Sequence, residues 1–396
     1  MALLQQRRPQ PRHPHQQGAA GPPRPRVELP KLRLQDGHRR HQAAAQRGPR
    51  ARLAGCHGHV ARGQSPRRRH VERAGPVSEA AAARNPVAEK IGLLLELVKF
   101  EHSIFALPYA YIGALYGAAL VWVRWAASSA GPPAVAPNEW VTPSGWPTWS
   151  SLVWITVVMV GARAFAFVVN RAADKEIDAR NPRTAGRAVP AGLIKAWELW
   201  LFSAVMLAAY LFGVWQLAPI THLLWPIPLA AFVIYPYTKR FTPLCHYWLG
   251  LCLGLAPVGG WVAVGGPIGD PAPWVIGAAV LVWTAGFDII YATQDVECDV
   301  RDGVHSMPAD FGVRAALVQT RVAHVLTIVL LVAGGWLAGA GWPWYAGVVV
   351  AAALLGYENA IVRADDLSRV NAAFFTVNGV IAVVVGIGAV VDRLVA

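Results

Sequence analysis

Two short stretches of this 396-residue chain set carboxylates at a spacing that can hold a cation. Asn170, Asp174 and Asp178 read as NxxxDxxxD, and Tyr291, Asp295 and Asp299 as YxxxDxxxD, with Asp288 about one turn earlier on a neighbouring face. On a helix, positions i, i+4 and i+8 advance about 40° around and about 6 Å along per step, so each set predicts one acidic stripe. Carboxylates brought face to face repel unless something cationic lies between them. Oxygen donors without His or Cys suit Mg²⁺, which completes its shell with water and substrate phosphate. The ligand that fits two such stripes is a diphosphate. A single DxxxD is explained as well by loop charges paired with Arg171, Lys175 or Arg301, but two at matching helix ends point to a site.

Basic residues follow the first stripe and the fourth apolar stretch. Arg183 and Arg187 lie in NPRTAGRAVPAG after the first stripe, and Lys239 and Arg240 in YPYTKRFTP. Guanidinium and ammonium groups can neutralise diphosphate oxygens that a metal leaves exposed, or serve as anchors at a membrane surface. Arg163 stands seven residues before Asn170, about two turns deeper on nearly the same face. A charge there is costly in lipid, so it should point inward, either to the carboxylate of an aromatic acid or to an acid on another helix.

These residues need helices that end together at one surface. The chain is 55% hydrophobic and 15% charged, which suits an integral membrane protein better than a soluble domain. Nine apolar stretches approach the length that crosses about 30 Å of hydrocarbon. They cover approximately 103–123, 152–170, 198–217, 222–237, 246–266, 273–292, 321–341, 344–357 and 372–391. The fourth and eighth are short, and Trp342, Pro343 and Trp344 are expected to turn the chain between the seventh and eighth. The runs are continuous rather than alternating, which excludes barrel strands and predicts an all-α polytopic membrane protein. Of the 18 Lys and Arg beyond position 84, 15 fall in the N-terminal flank and the loops after stretches two, four, six and eight. Those loops, which carry both acidic motifs, are expected on the cytoplasmic side.

The net charge of +13 is not a nucleic-acid signal. Residues 1–84 hold 18 Lys and Arg against 4 Asp and Glu, and the remainder is almost neutral, so no nucleic-acid partner is expected. That segment has no apolar run able to build a core and neither a secretory nor an organelle signal. The abrupt composition change near 85–89 predicts a disordered basic tail over 1–84, either lying on an anionic leaflet or outside the physiological protein, and a membrane domain over 85–396. Cys56, Cys245, Cys252 and Cys298 lack metal or disulfide spacing and are expected to be reduced.

With its motifs NRAADKEIDARNPRTAGRAVPAG from Asn170, YPYTKR from Tyr235 and DIIYATQDVECDVRDGVHSMPADFG from Asp288, the chain resembles the UbiA-type superfamily of intramembrane aromatic prenyltransferases over essentially residues 90–396. The resemblance implies a helical barrel open to the lipid and a multi-pass protein of the cytoplasmic membrane. It also implies Mg²⁺ and a polyprenyl diphosphate donor, with an aromatic acid acceptor on the way to ubiquinone or menaquinone. By position, Asn170, Asp174 and Asp178 would form the first metal motif, Asp295 and Asp299 the second, and Arg187, Lys239 and Arg240 would lie near the diphosphate. Asp288 and Tyr291 match the opening of the second motif. Ala188, Glu297, Cys298 and His305 depart from the family pattern without removing a stripe carboxylate. The first-stretch sequence KFEHSIFALPYAYIG from Lys99, which contains His102, is similar to a menaquinone-linked branch named for 4-hydroxybenzoate but implying 1,4-dihydroxy-6-naphthoate.

The chemistry so implied is ionisation of an allylic diphosphate and attack by an electron-rich ring carbon. Tyr291 could face the cation, orient the diphosphate, or simply pack between helices. Haem- and chlorophyll-type prenyltransferases remain alternatives within the superfamily. A transporter fits less well, because its charges would lie at mid-depth in repeated halves.

Overall fold

In a computed structural model, the described residues are 90, 92, 93, 105–128 and 136–396. All belong to one compact unit, Ser78–Ala396. The basic tail and His102, on which expectations were placed above, lie outside the described residues.

The chain runs through α1 (Leu107–Ser128), α2 (Trp149–Ala173), the short α3 (Lys175–Arg180), α4 (Ala196–Trp215), α5 (Thr221–Leu224), α6 (Pro226–Thr238) and α7 (Cys245–Ala263). It continues through α8 (Pro271–Ala292), the short α9 (Val296–Asp302) and α10 (Met307–Phe311), then α11 (Val313–Leu337), α12 (Trp342–Ile361), a π-helical turn (Ala372–Val377) and α13 (Asn378–Val395). No strand occurs among the described residues; their only β pairing is isolated bridges. Seven helices are long and apolar enough to cross a membrane: α1, α2, α4, α8, α11, α12, and the π turn continuous with α13. The protein is an integral membrane protein.

Helices occur at each of the nine apolar stretches, with informative differences. The fourth stretch is broken into α5 and the 13-residue α6, because Pro226 and Pro228 lack amide donors and start a new helix. The seventh helix begins at Val313, not 321: Arg314 and Arg321 lower its apolar signal, yet Ala316, Leu317 and Thr320 are buried. The turn after it is made by Ala338–Gly341, with Gly339 at φ 70°, while Trp342, Pro343 and Trp344 form the first turn of α12. Pro suits that first turn because the amide it lacks would be unpaired there.

Capping fixes where the helices next to the site begin. Thr148 accepts from the Ser151 amide at the start of α2, and Asp270 from the Ala272 amide at the start of α8. Helix α8 is central: Ile276, Trp283, Phe287, Ile289 and Ile290 are buried, and it packs on α7 and α11. Helix α7 also packs on α1 and α6, α2 on α4 and α6, and α13 on α1 and α12. The α1–α7 contact is backbone to backbone, since a Cβ on Gly113 would lie 1.9 Å from the Pro257 carbonyl oxygen.

The two ends of the bundle differ. Trp149, Trp215, Trp336 and Trp342, at the starts of α2 and α12 and the ends of α4 and α11, are all more than half exposed, as aromatic side chains at a lipid–water boundary are. The opposite end carries α3, α9, α10 and the acidic motifs.

Candidate active site

The first motif is not one continuous helix. Helix α2 stops at Ala173, Asp174 takes φ −96° and ψ 4°, and α3 restarts at Lys175. Hydrogen bonds from the Asp174 amide to Asn170 O (2.9 Å) and from the Asp178 amide to Asp174 O (2.8 Å) keep the i+4 spacing across the break. Aspartate favours helix ends over interiors, and here its side chain is drawn to a partner on another segment. Asp174, only 4% exposed, accepts at Oδ2 from Lys239 Nζ at 2.6 Å. Burial raises its carboxyl above the ordinary value, and Lys239 opposes that rise. Asp178 is bound by Arg171 at 3.0 Å and by Arg187 at 3.0 and 3.1 Å.

The loop that follows clasps the second motif. Asn181 Oδ1 accepts from the Arg183 amide, and Thr184 Oγ1 donates to Asp178 O, folding NPRT into a tight turn. From this turn Asn181 Nδ2 donates to Asp295 Oδ1 at 2.8 Å. Arg183 binds both oxygens of Asp295, donates to the Tyr291 hydroxyl at 2.9 Å, and lies 5.1 Å above the Tyr291 ring.

The second motif repeats the break of the first. Helix α8 ends at Ala292, Thr293 Oγ1 donates to Ile290 O, and Asp295 opens α9. Tyr291, Asp295 and Asp299 therefore straddle a helix end rather than one helix face. Asp299 accepts from Ser306 Oγ at 2.9 Å, and burial raises its carboxyl to about 6. Lys239 approaches from the end of α6, and Arg240 donates to Ala173 O at 2.6 Å, placing a cation at the C-terminus of α2.

Beneath the motifs lies a cavity of about 350 Å³. Phe105, Ile155, Met159, Phe232, Phe287 and Phe374 form much of its wall, and its polar groups include Arg163, Asn170, Arg171, Arg187, Asp288 and Tyr291. Arg163 sits over the Phe167 ring at 4.9 Å, and its Nε is buried without a hydrogen-bond partner. It points inward as expected, and it forms no ion pair with an acid of another helix among the described residues.

The structure thus brings the two motifs together through Asn181 and Arg183. It does not gather three carboxylates around one point among the described residues. Instead Lys239, Arg171 with Arg187, and Arg183 each hold one carboxylate. The donor set nevertheless fits a hard dication: Asp174 Oδ1 is buried and carries no hydrogen bond, and Asn170 and Asp178, each one turn away along the chain, are oxygen donors of the same hard type. Four residues of this end escaped the sequence reading: Asn181, Thr184, Ser306 and His246. The Asn-Pro turn was a readable signal for the first two. His246, whose Nδ1 lies 2.7 Å from Asp288 Oδ2, had none, because its partner is 42 residues away.

The UbiA prenyltransferase family profile matches residues 130–380, which carry both motifs and the helices that bear them. The chain belongs to the UbiA prenyltransferase family. This UbiA-family prenyltransferase is 30% identical over 239 residues to a 4-hydroxybenzoate octaprenyltransferase of Cupriavidus metallidurans, covering 59% of this chain and 79% of the relative. It is 31% identical to a UbiA homologue from Aeropyrum pernix solved in its apo form, with a TM-score of 0.62 over 74% of this chain and 98% of that one. A UbiA homologue from Archaeoglobus fulgidus, solved with GPP and Mg²⁺, shares the fold at 19% identity, with a TM-score of 0.56 over 76% of this chain and 99% of that one.

Proposed function

We propose that this prenyltransferase moves a polyprenyl group from its diphosphate to a ring carbon of an aromatic acid in quinone biosynthesis, with Mg²⁺ and with its site at the cytoplasmic face. The single observation that carries this reading is the joining of two acidic motifs by basic side chains directly above an apolar cavity that contains Arg163. Relatives named for 4-hydroxybenzoate support that acid as acceptor, and the first-stretch sequence supports 1,4-dihydroxy-6-naphthoate. Both offer a carboxylate and an electron-rich ring.

Asn170, Asp174 and Asp178 with Asp295 and Asp299 would hold Mg²⁺, which when bound neutralises the charge that develops on the leaving diphosphate. Arg183, Arg187, Lys239 and Arg240 would bind the diphosphate oxygens in exchange for their present carboxylate and carbonyl partners. Tyr291 is read as orienting this cluster, since Arg183 both covers its ring and binds its hydroxyl. Arg163 binds the acid carboxylate by charge-assisted hydrogen bonds. The apolar wall, including Phe287 and Phe374, keeps water from the allylic cation and offers ring faces to it. The positive-inside distribution supports the cytoplasmic orientation.

The test is product identification by mass spectrometry. Full chain in proteoliposomes is given Mg²⁺, geranyl or longer prenyl diphosphate, and either acid. A C-prenylated acid is expected with one of them. Folded protein that yields no prenylated product with either acid overturns the reading and directs attention to the haem- and chlorophyll-type acceptors.

A further inference from the structure

Among the described residues Asp288 is the one acidic residue of the cavity lining, and none of the described basic residues around the motifs holds it. Its only hydrogen bond among the described residues runs to His246, on α7, at 2.7 Å. His246 is 3% exposed, and its other nitrogen, Nε2, lies 3.2 Å from the Met307 amide. That amide opens α10, where it has no partner within its own helix, so it donates and Nε2 must accept. The ring proton then sits on Nδ1 and donates to Asp288 Oδ2. The imidazole is thereby locked in one tautomer and one orientation, while Oδ1 of Asp288, a residue of the cavity lining, carries no hydrogen bond among the described residues.

We infer that Asp288 is the base that takes the ring proton of the acceptor and that His246 is its positioning residue. The inference rests on the proposed transfer to an aromatic ring. As the allylic C–O bond breaks, its electron pair leaves with the diphosphate, and a ring carbon forms the new C–C bond. That carbon still carries its hydrogen. The proton passes to Asp288 Oδ1, the C–H electron pair restores the aromatic ring, and the proton is lost to solvent as products leave. Placement fits this order. Arg163 and Asp288 line the same cavity, so an acid whose carboxylate meets Arg163 would hold its ring in the space that Asp288 also borders. Basic strength alone does not make a base; a fixed carboxylate oxygen at hydrogen-bond reach does, and His246 supplies the fixing.

The experiment compares ring-protiated and ring-deuterated acceptor with the full chain in proteoliposomes. In the unsubstituted protein, ionisation is expected to limit the rate, so that deuteration leaves it unchanged. His246→Ala is expected to slow transfer about 10- to 100-fold and to bring out a primary isotope effect, because proton removal becomes limiting. His246→Gln offers one donor and one acceptor at the same two ends and is expected to restore most of the rate and abolish the isotope effect. Asp288→Asn keeps an acceptor for His246 and so keeps the fold, but it is expected to lose transfer while still releasing diphosphate. A slow His246→Ala enzyme without an isotope effect, a His246→Gln enzyme as slow as the alanine variant, or an Asp288→Asn enzyme of normal rate overturns the inference. Failure of the underlying functional reading looks different: the unsubstituted protein itself gives no prenylated acid.

Discussion

Arg163 separates function from stability, and replacing it with Leu should move the two in opposite directions. Among the described residues its Nε is buried with no hydrogen-bond partner, inside a largely apolar cavity, and its compensation is the Phe167 ring at 4.9 Å. A buried polar group left unpaired costs about 1–3 kcal/mol, and a cation over an aromatic ring returns about 1 kcal/mol of that. Arg163→Leu removes the cost and fills the space with apolar volume, so the folded protein should gain about 1–2 kcal/mol. With acceptor bound, the same guanidinium makes charge-assisted hydrogen bonds worth about 1.5–3 kcal/mol, so their loss should raise the KM for the acid about 10- to 100-fold. The KM for prenyl diphosphate should stay within experimental error, because Arg163 lies well below the motifs. Steady-state kinetics with each substrate varied in turn, together with thermal unfolding in detergent, measures both effects. An unchanged KM for the acid, or a clear fall in unfolding temperature, would refute the claim that this arginine awaits a carboxylate.

Removal of Lys239 should act in the reverse sense. Lys239→Met leaves Asp174 buried with neither oxygen paired, at a cost of about 3–5 kcal/mol, and adding Asp174→Asn should recover much of the stability, as a thermal-unfolding double-mutant cycle would register. Mg²⁺ dependence should sharpen in acid: with the Asp299 carboxyl raised to about 6, protons compete for it as pH falls through that value, so the Mg²⁺ concentration for half activity should climb about tenfold per unit below it. A half-activation concentration that stays flat from pH 5 to 8 would count against Asp299 as a ligand. Gly113→Val should abolish folded yield, since even its Cβ would overlap the Pro257 carbonyl, and a well-folded variant by size-exclusion chromatography would show that α1 and α7 can separate.

Much of this protein could be read from its sequence because lipid imposes long apolar runs and concentrates charge at their ends. The NxxxDxxxD and YxxxDxxxD patterns, the basic pairs Arg183 with Arg187 and Lys239 with Arg240, and the inward Arg163 all follow from one-dimensional spacing. What spacing could not deliver is the local geometry at Asp174 and Asp295. There a helix ends and another begins, and the side chains of Lys239, Asn181 and Arg183 arrive from distant segments. The start of α11 was hidden for a related reason, because Arg314 and Arg321 interrupt an apolar count without interrupting a helix. His246 was hidden most completely. An isolated histidine at the start of an apolar helix has no pattern, and its meaning comes only from Asp288 and the Met307 amide meeting it in three dimensions.

The central claim is that the two acidic motifs act together on a prenyl diphosphate. The most direct measurement is the rate of prenyl transfer to the preferred acid by the full chain, beside Asp174→Asn and Asp295→Asn proteins shown to be folded by their unfolding temperatures. Transfer by the unsubstituted protein that disappears with chelator, and that falls at least about 100-fold in each variant, is the expected result. Transfer that persists in either variant at the unsubstituted rate would contradict the account.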